Sequence, residues 1–369
     1  MNVQATQPQQ PGDGMFAQME SLVKAESMAY VMFERRDVEK MTQFLTDFGL
    51  ILLTTVDDVC YFRGHGTVPW LVSIAPSTED RFVGLGLTVA TEADLHVLAS
   101  TTGVAIELAD GPAGGKRVRL TDPEGLVVDA VYGAKPLTPL PTRREKIQVN
   151  TPLDDARINS GVRPPLEPSA IFRFGHVVLQ RPDFMRSASW YMRHFGFIPS
   201  DIQTLENGQP VLGFFRLNRG AVPSDHHSIA ILGAAPASML HVSFQTFDID
   251  SVGQGHQYLR ARGWTPFWGI GRHRLGSQIF DYWKDPVGNE WEHYADGDVF
   301  DAEQPTGYQT FSRGTLWAWG DDLPDSMRPD LKLDDIPKVH AAGGFGDVPL
   351  DQITEFMRAM LVKPRPWLK

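Results

Sequence analysis

Phe280-Asp281-Tyr282-Trp283-Lys284-Asp285-Pro286-Val287-Gly288-Asn289-Glu290-Trp291-Glu292 reads as a strand, a tight turn and a second strand. Pro at the second turn position and Gly at the fourth suit a type I turn over Asp285–Gly288. The second strand sets Glu292 between Trp291 and His293. A carboxylate in that apolar setting is costly unless something pairs with it, and a metal ion is one such partner.

The turn has a counterpart at Asp122-Pro123-Glu124-Gly125, which points to an internal repeat. Tyr30-Val31-Met32-Phe33-Glu34-Arg35-Arg36-Asp37 opens one copy, and His176-Val177-Val178-Leu179-Gln180-Arg181-Pro182-Asp183 opens the other. Each is a short apolar strand running into an Asp that suits a helix N-cap. The helix after Asp37 carries Met41, Phe44, Leu45 and Phe48; the one after Asp183 carries Phe184, Ser187, Trp190 and Tyr191. Spacings of three and four give each helix one buried face. Gly49 and Gly196 stand at the expected C-terminal stops. Further helices are expected over about 92–101, 251–263 and 352–361. The fold class is therefore α+β, each half being βαβββ repeated twice.

The domain reading is a lead-in over 1–26, a first module pair over 27–135, a linker over 136–169, a second pair over 170–298 and an extension over 299–369. The lead-in is Gln- and Pro-rich near its start, reads as disordered, and has no signal-peptide core. The extension is expected to pack on the outer surface, with Trp317, Trp319 and Trp367 spread along it.

A chain of 369 residues can bury two cores. Its net charge of -11 and the lack of a basic stripe argue against nucleic acid. No apolar run is long enough for a membrane span. Cys60 is the one cysteine, which excludes an internal disulfide framework and fits a reducing cytoplasm.

Aligning the halves puts His176 opposite Tyr30, His241 opposite about Gly84, and Glu292 opposite Asp129. A lone strand histidine is more often a packing residue than a ligand. Two histidines and a carboxylate at repeat-defined places match the facial triad of mononuclear non-haem Fe(II) sites.

On these residues the chain resembles the vicinal oxygen chelate superfamily, with its glyoxalase-like fold of paired βαβββ modules forming open barrels. More narrowly, it resembles the two-domain type I extradiol dioxygenases, over about residues 27–298. The resemblance implies metal ligands His176, His241 and Glu292, with the first module pair having lost its own. The family's acid/base histidine, fifteen residues before the second metal histidine, falls on His226; the adjoining His227 is expected to face outward or pack. Its substrate-binding tyrosine, ten residues before the glutamate, falls on Tyr282, and a further histidine, nineteen before, on His273. The activity implied is opening of a catechol ring with both atoms of O2, in aromatic degradation, by a cytoplasmic homo-oligomer such as a tetramer. The cofactor implied is Fe(II), although the same ligands accept Mn(II).

Phe215, Phe244, Trp268 and Phe280 are candidate pocket residues, since ligand sites are largely apolar. Arg272 and Arg274 alternate with His273 and are expected to point away, which favours a hydrophobic catechol over an acidic one. Two rivals share the fold. A metal-dependent glyoxalase-like lyase or isomerase needs the ligands but not the His226, His273 and Tyr282 set. A metal-free small-molecule binding protein has no reason to keep three ligands on one module.

Overall fold

The computed structural model describes residues 16, 19–142, 148–163, 167–328 and 330–365. The first half runs β1 (Ala25–Arg35), α1 (Val38–Phe48), β2 (Ile51–Val56), β3 (Val59–Arg63) and β4 (Val72–Pro76). It then repeats as β5 (Arg81–Val89), α2 (Glu92–Thr102), β6 (Ile106–Leu108), β7 (Lys116–Thr121) and β8 (Val127–Tyr132). The second half runs β9 (Arg173–Arg181), α3 (Phe184–Phe195), β10 (Ile198–Thr204), β11 (Pro210–Arg216), the short β12 (Ser224–Asp225) and β13 (Ile229–Gly233). Its repeat is β14 (Ser238–Gln245), α4 (Ile249–Ala261), β15 (Thr265–His273), β16 (Ile279–Lys284) and β17 (Glu290–Ala295). Beyond lie β18 (Val299–Phe300), β19 (Gly307–Thr310), β20 (Trp317–Trp319), α5 (Ile336–Ala341) and α6 (Leu350–Leu361). This is the expected α+β architecture of paired βαβββ modules.

The helix signals act as read. Asp37 accepts from Lys40 N at 2.8 Å and Asp183 from Arg186 N at 2.9 Å. Gly49 and Gly196 take left-handed φ values of 107° and 68° at the C-termini, where a side chain would be strained. Among the four residues expected to be buried on α3, Trp190 stays only half-buried, while Met192 and Phe195 complete the face.

Within each half the two opening strands lie side by side and antiparallel, β1 on β5 and β9 on β14. Each pairs on its other side, in parallel, with the last strand of its own module: β1 with β4, β5 with β8, β9 with β13, β14 with β17. One apolar core joins the halves, with Phe44, Phe48, Phe244 and Trp291 all inside it.

The two Asp-Pro-x-Gly turns dock the halves reciprocally. Arg35, at the end of β1, reaches Asp285 of the second-half turn at 3.1 Å. Arg181, at the end of β9, reaches Asp122 of the first-half turn at 2.8 Å. All four side chains are buried. Each turn carboxylate also accepts backbone N–H groups, those of Val287 and Asn289 on Asp285 and those of Glu124 and Leu126 on Asp122. A buried pair of this kind adds little net stability, but removing one member strands a charge at a cost of roughly 3–5 kcal/mol.

Two expectations change. Part of the lead-in is ordered: Phe16 packs edge-on to Phe184 and Phe215, and Val23 is buried. Residues 1–15, 17 and 18 lie outside the described residues. The extension is also more than an outer coat. Strand β19 extends the second sheet along β10, and β20 extends it at the other edge along β15. Trp367 lies outside the described residues. No helix among the described residues is long and apolar enough to cross a membrane.

Candidate metal centre

Three neighbouring strands present the ligands to one face. Ser243 on β14 pairs with His176 on β9 and with Glu292 on β17, and His241 lies two residues before Ser243, on the same face. The His176, His241 and Glu292 ligand atoms all lie within 4.8 Å of one another. His176 Nε2 is 3.0 Å from Glu292 Oε2, and His241 Nε2 is 3.5 Å from the same oxygen. Three atoms held about 2.1 Å from one ion, at roughly 90–110°, stand about 3.0–3.4 Å apart, close to this spacing.

The first half shows what occupies the equivalent place without a metal. Tyr30, Gly86 and Asp129 pair across β1, β5 and β8 as His176, Ser243 and Glu292 do. Tyr30 donates to Asp129 at 3.0 Å, and Arg119 forks onto the same carboxylate at 2.8 Å through both Nε and Nη2. A Cβ on Gly86 would lie 2.5 Å from the Tyr30 ring, so glycine makes room for it. Asp129 is neutralised by arginine.

Glu292 has no such partner. Its side chain is fully buried, and neither carboxylate oxygen receives a hydrogen bond; His241 Nε2 is likewise buried and unpartnered. Burial pushes the Glu292 carboxyl up, but the histidines around it, His176 foremost, outweigh that and hold it well below the usual range. Burial lowers His241 to about 3, against the pull of Glu292. The cluster is thus an ionised carboxylate beside a neutral imidazole, the protonation states a metal requires. Orphaned donors, converging atoms and a nitrogen-and-oxygen set fit a borderline divalent cation.

Tyr282 pairs directly across strands with Glu292, and its ring stands 5.0 Å from that of His241. Burial, and then the Glu292 charge, raise its phenol well above the normal value. The Tyr282 hydroxyl is 2.9 Å from His273 Nε2. His273 Nδ1 lies 2.9 Å from Leu316 O, a carbonyl that can only accept, so this nitrogen carries the proton and Nε2 is the acceptor in the neutral ring. The structure therefore brings His176, His241, Glu292, His273 and Tyr282 to one place.

The histidine pair is arranged contrary to the spacing argument. His227 lines the cavity, its ring 4.2 Å from that of His176. His226 turns the other way, with Nε2 2.7 Å from Asp201 Oδ2 and Nδ1 3.1 Å from His227 Nδ1. Strand β12 ends at Asp225 and β13 begins at Ile229, so residues 226–228 bend between strands. The backbone N–H of His226 goes to Asp298 O and that of Ser228 to Phe215 O. Asp201, on β10, takes the His226 ring and leaves the cavity to His227.

The cavity has a volume of about 480 Å³. His176, His227, His241, His273 and Tyr282 line one part, and Leu212, Phe214, Trp268, Phe311 and several α6 residues line the rest. Of the four aromatic candidates, Trp268 is a wall residue. Phe280 is fully buried behind the wall, its ring 4.3 Å from His273 and 4.5 Å from Trp268. Phe215 and Phe244 belong to the core instead. Phe215 faces Phe16 and Phe184, and Phe244 stacks on Trp291 at 5.3 Å and 5°. Alternation on β11 turns Phe214 inward in place of Phe215. Arg272 does point away, donating to Ser277 O and Asp296.

Asp201, Leu316 and the α6 residues were not readable as site residues. Asp201 and Leu316 act through contacts 25 and 43 residues apart along the chain. A helix was expected over about 352–361, but not what it would cover.

Comparison with known proteins agrees with this geometry. Residues 173–293 match the model of the Glyoxalase/Bleomycin resistance protein/Dioxygenase superfamily. The chain is 31% identical over 207 residues to metapyrocatechase 2 of Cupriavidus necator, covering 55% of this chain and 60% of that protein. It is 26% identical over 274 residues to biphenyl-2,3-diol 1,2-dioxygenase of Pseudomonas sp. strain KKS102, covering 70% of this chain and 85% of that protein. The Mn(II)-bound glyoxalase from Novosphingobium aromaticivorans shares the fold, with a TM-score of 0.70 at 20% identity over 84% of this chain and 96% of that one. Among the described residues the ligand cluster lies in the second half, inside the stretch that matches this superfamily's model, as the resemblance implied.

Proposed function

We propose that the protein is an Fe(II)-dependent extradiol dioxygenase that opens the ring of an apolar catechol, inserting both atoms of O2. The observation that carries this reading is the placement of His227, His273 and Tyr282 around the His176–His241–Glu292 cluster. A lyase or isomerase on this fold would need the cluster but has no use for that surrounding set.

Held by His176, His241 and Glu292, the metal would supply adjacent open positions for a catechol and for O2, the two partners whose direct reaction is spin-forbidden. This chain's residues do the rest. His227, held in its neutral form because burial and then the neighbouring His176 and His226 push its pKa well below the ordinary value, takes the proton from a catechol hydroxyl and returns it readily later. Tyr282, kept a neutral phenol, has one O–H to donate; it goes to His273 Nε2 in the free site and turns to the substrate oxygen once that is bound. His273 is held by Leu316 O so that its Nε2 faces the Tyr282 hydroxyl. The apolar walls exclude water. Cys60, which is free, fits a reducing compartment and supports a cytoplasmic setting.

The test is oxygen uptake by protein loaded anaerobically with Fe(II), across alkyl, aryl and carboxylated catechols. A yellow ring-opened product is expected. Failure to retain iron, with every catechol untouched, would overturn the reading.

A further inference from the structure

The extension beyond residue 299 lines part of the same cavity as the ligand cluster. Helix α6 buries Ile353, Met357 and Met360, spaced four and three residues apart on one face, and all three line the cavity together with Phe356. Phe356 stacks on Phe311 at 5.2 Å and 12°, which ties the helix to the chain just after β19. A separate apolar cluster of Ile336, Val348, Ile353 and Met357 packs α6 against the start of α5. The polar member of this wall, Gln352, is engaged elsewhere: its Nε2 donates to Gly233 O and its Oε1 accepts from Gln209.

Two properties of the joined space bear on what it holds. Among the described residues it is lined by no arginine or lysine, so a carboxylate on the substrate would lack a counter-charge. Its volume of about 480 Å³ is roughly three times that of an apolar cavity of about 150 Å³ that binds benzene. A catechol ring alone would leave most of it unfilled. Methionines at 327, 357 and 360 supply flexible, polarizable contacts for an aromatic or alkyl group.

We propose that α6 is the specificity wall of this site, selecting catechols that carry an uncharged apolar substituent of at least a further ring's size. Ile353, Phe356, Met357 and Met360 receive that substituent. The inference rests on the ring-cleavage reading for the catechol half of the ligand, and on the cavity alone for the substituent.

The experiment pairs turnover with binding. Values of kcat/KM are compared for catechol, alkylcatechols of increasing length, a phenylcatechol and a carboxylated catechol. The matching phenols, which lack the second hydroxyl, are titrated calorimetrically into the iron-loaded protein under argon. Affinity is expected to rise about fourfold per buried methylene until the cavity is full. Met357→Trp, or Ile353→Phe as a milder filling of the same wall, should lower the phenyl compound's kcat/KM and affinity at least tenfold more than those of unsubstituted catechol. Equal losses for both compounds, an unchanged rank order, or a carboxylated catechol that performs as well as the phenyl one would overturn the proposal. Phenol binding that follows the size series in a protein cleaving no catechol would support the wall and remove the dioxygenase reading.

Discussion

His226 and His227 face each other through their Nδ1 atoms, 3.1 Å apart. One nitrogen must donate and the other accept. Asp201 can only accept, so the His226 Nε2 2.7 Å away carries a proton. A neutral His226 then accepts at Nδ1 from His227 Nδ1–H, which leaves the Nε2 of His227 without a proton and free for the cavity. The pair thus presets His227 as a base.

That arrangement orders the effects of mutation. His227→Ala should lower kcat about 10²–10⁴-fold, the usual contribution of a general acid–base group. His226→Ala and Asp201→Asn act through His227 and should cost about ten- to a hundredfold. Loss of the imidazole at 227 should also abolish the limb of the pH–kcat profile assigned to the base. A larger loss for His226→Ala than for His227→Ala would reverse the assignment.

Tyr282→Phe removes a hydroxyl that pairs with His273 Nε2 and leaves the ring packing intact. One lost donor to a developing charge should lower kcat about 10²–10³-fold, with metal content unchanged by elemental analysis. Loss of the metal instead would make Tyr282 a structural support of the cluster.

The reciprocal turn pairs predict matched stability losses. Asp285→Asn strands Arg35, and Asp122→Asn strands Arg181. Each should cost about 3–5 kcal/mol in urea unfolding. Effects below about 1 kcal/mol would mean that the halves dock through apolar contacts alone.

His293 stacks on Phe48 at 3.8 Å and donates to its carbonyl at 2.7 Å. Burial lowers this histidine to about 4. The unfolded chain, titrating near 6.5, binds the proton first as pH falls. Its stabilising contribution is therefore complete above about pH 6.5 and is lost between there and about 4, for a total of roughly 3 kcal/mol. Unfolding midpoints of metal-free protein should fall from pH 7 to pH 5, and less steeply in His293→Phe. An identical slope in the variant would contradict this.

The repeat made much of the site legible. Paired Asp-Pro-x-Gly turns located the halves, and comparing them exposed His176, His241 and Glu292 against Tyr30, Gly84 and Asp129. The same turns read only as local structure, however, because the partners of Asp285 and Asp122 lie 250 and 59 residues away. The choice between His226 and His227 was hidden for a similar reason. Alternation holds on a strand, and here the chain leaves the strand between Asp225 and Ile229, so a contact from β10 orients both rings. Phe215 was misplaced by one strand position, which exchanges cavity for core.

The central claim is that His176, His241 and Glu292 hold one metal ion at which a catechol ring is opened by O2. Anaerobic Fe(II) titration followed by oxygen-electrode measurement tests it directly, on the wild-type protein and Glu292→Gln. The expected result is one Fe(II) bound per chain and one O2 consumed per catechol opened, with both lost in Glu292→Gln. Wild-type protein that binds no iron, or Glu292→Gln that still consumes O2 with catechol at the wild-type rate, would contradict it.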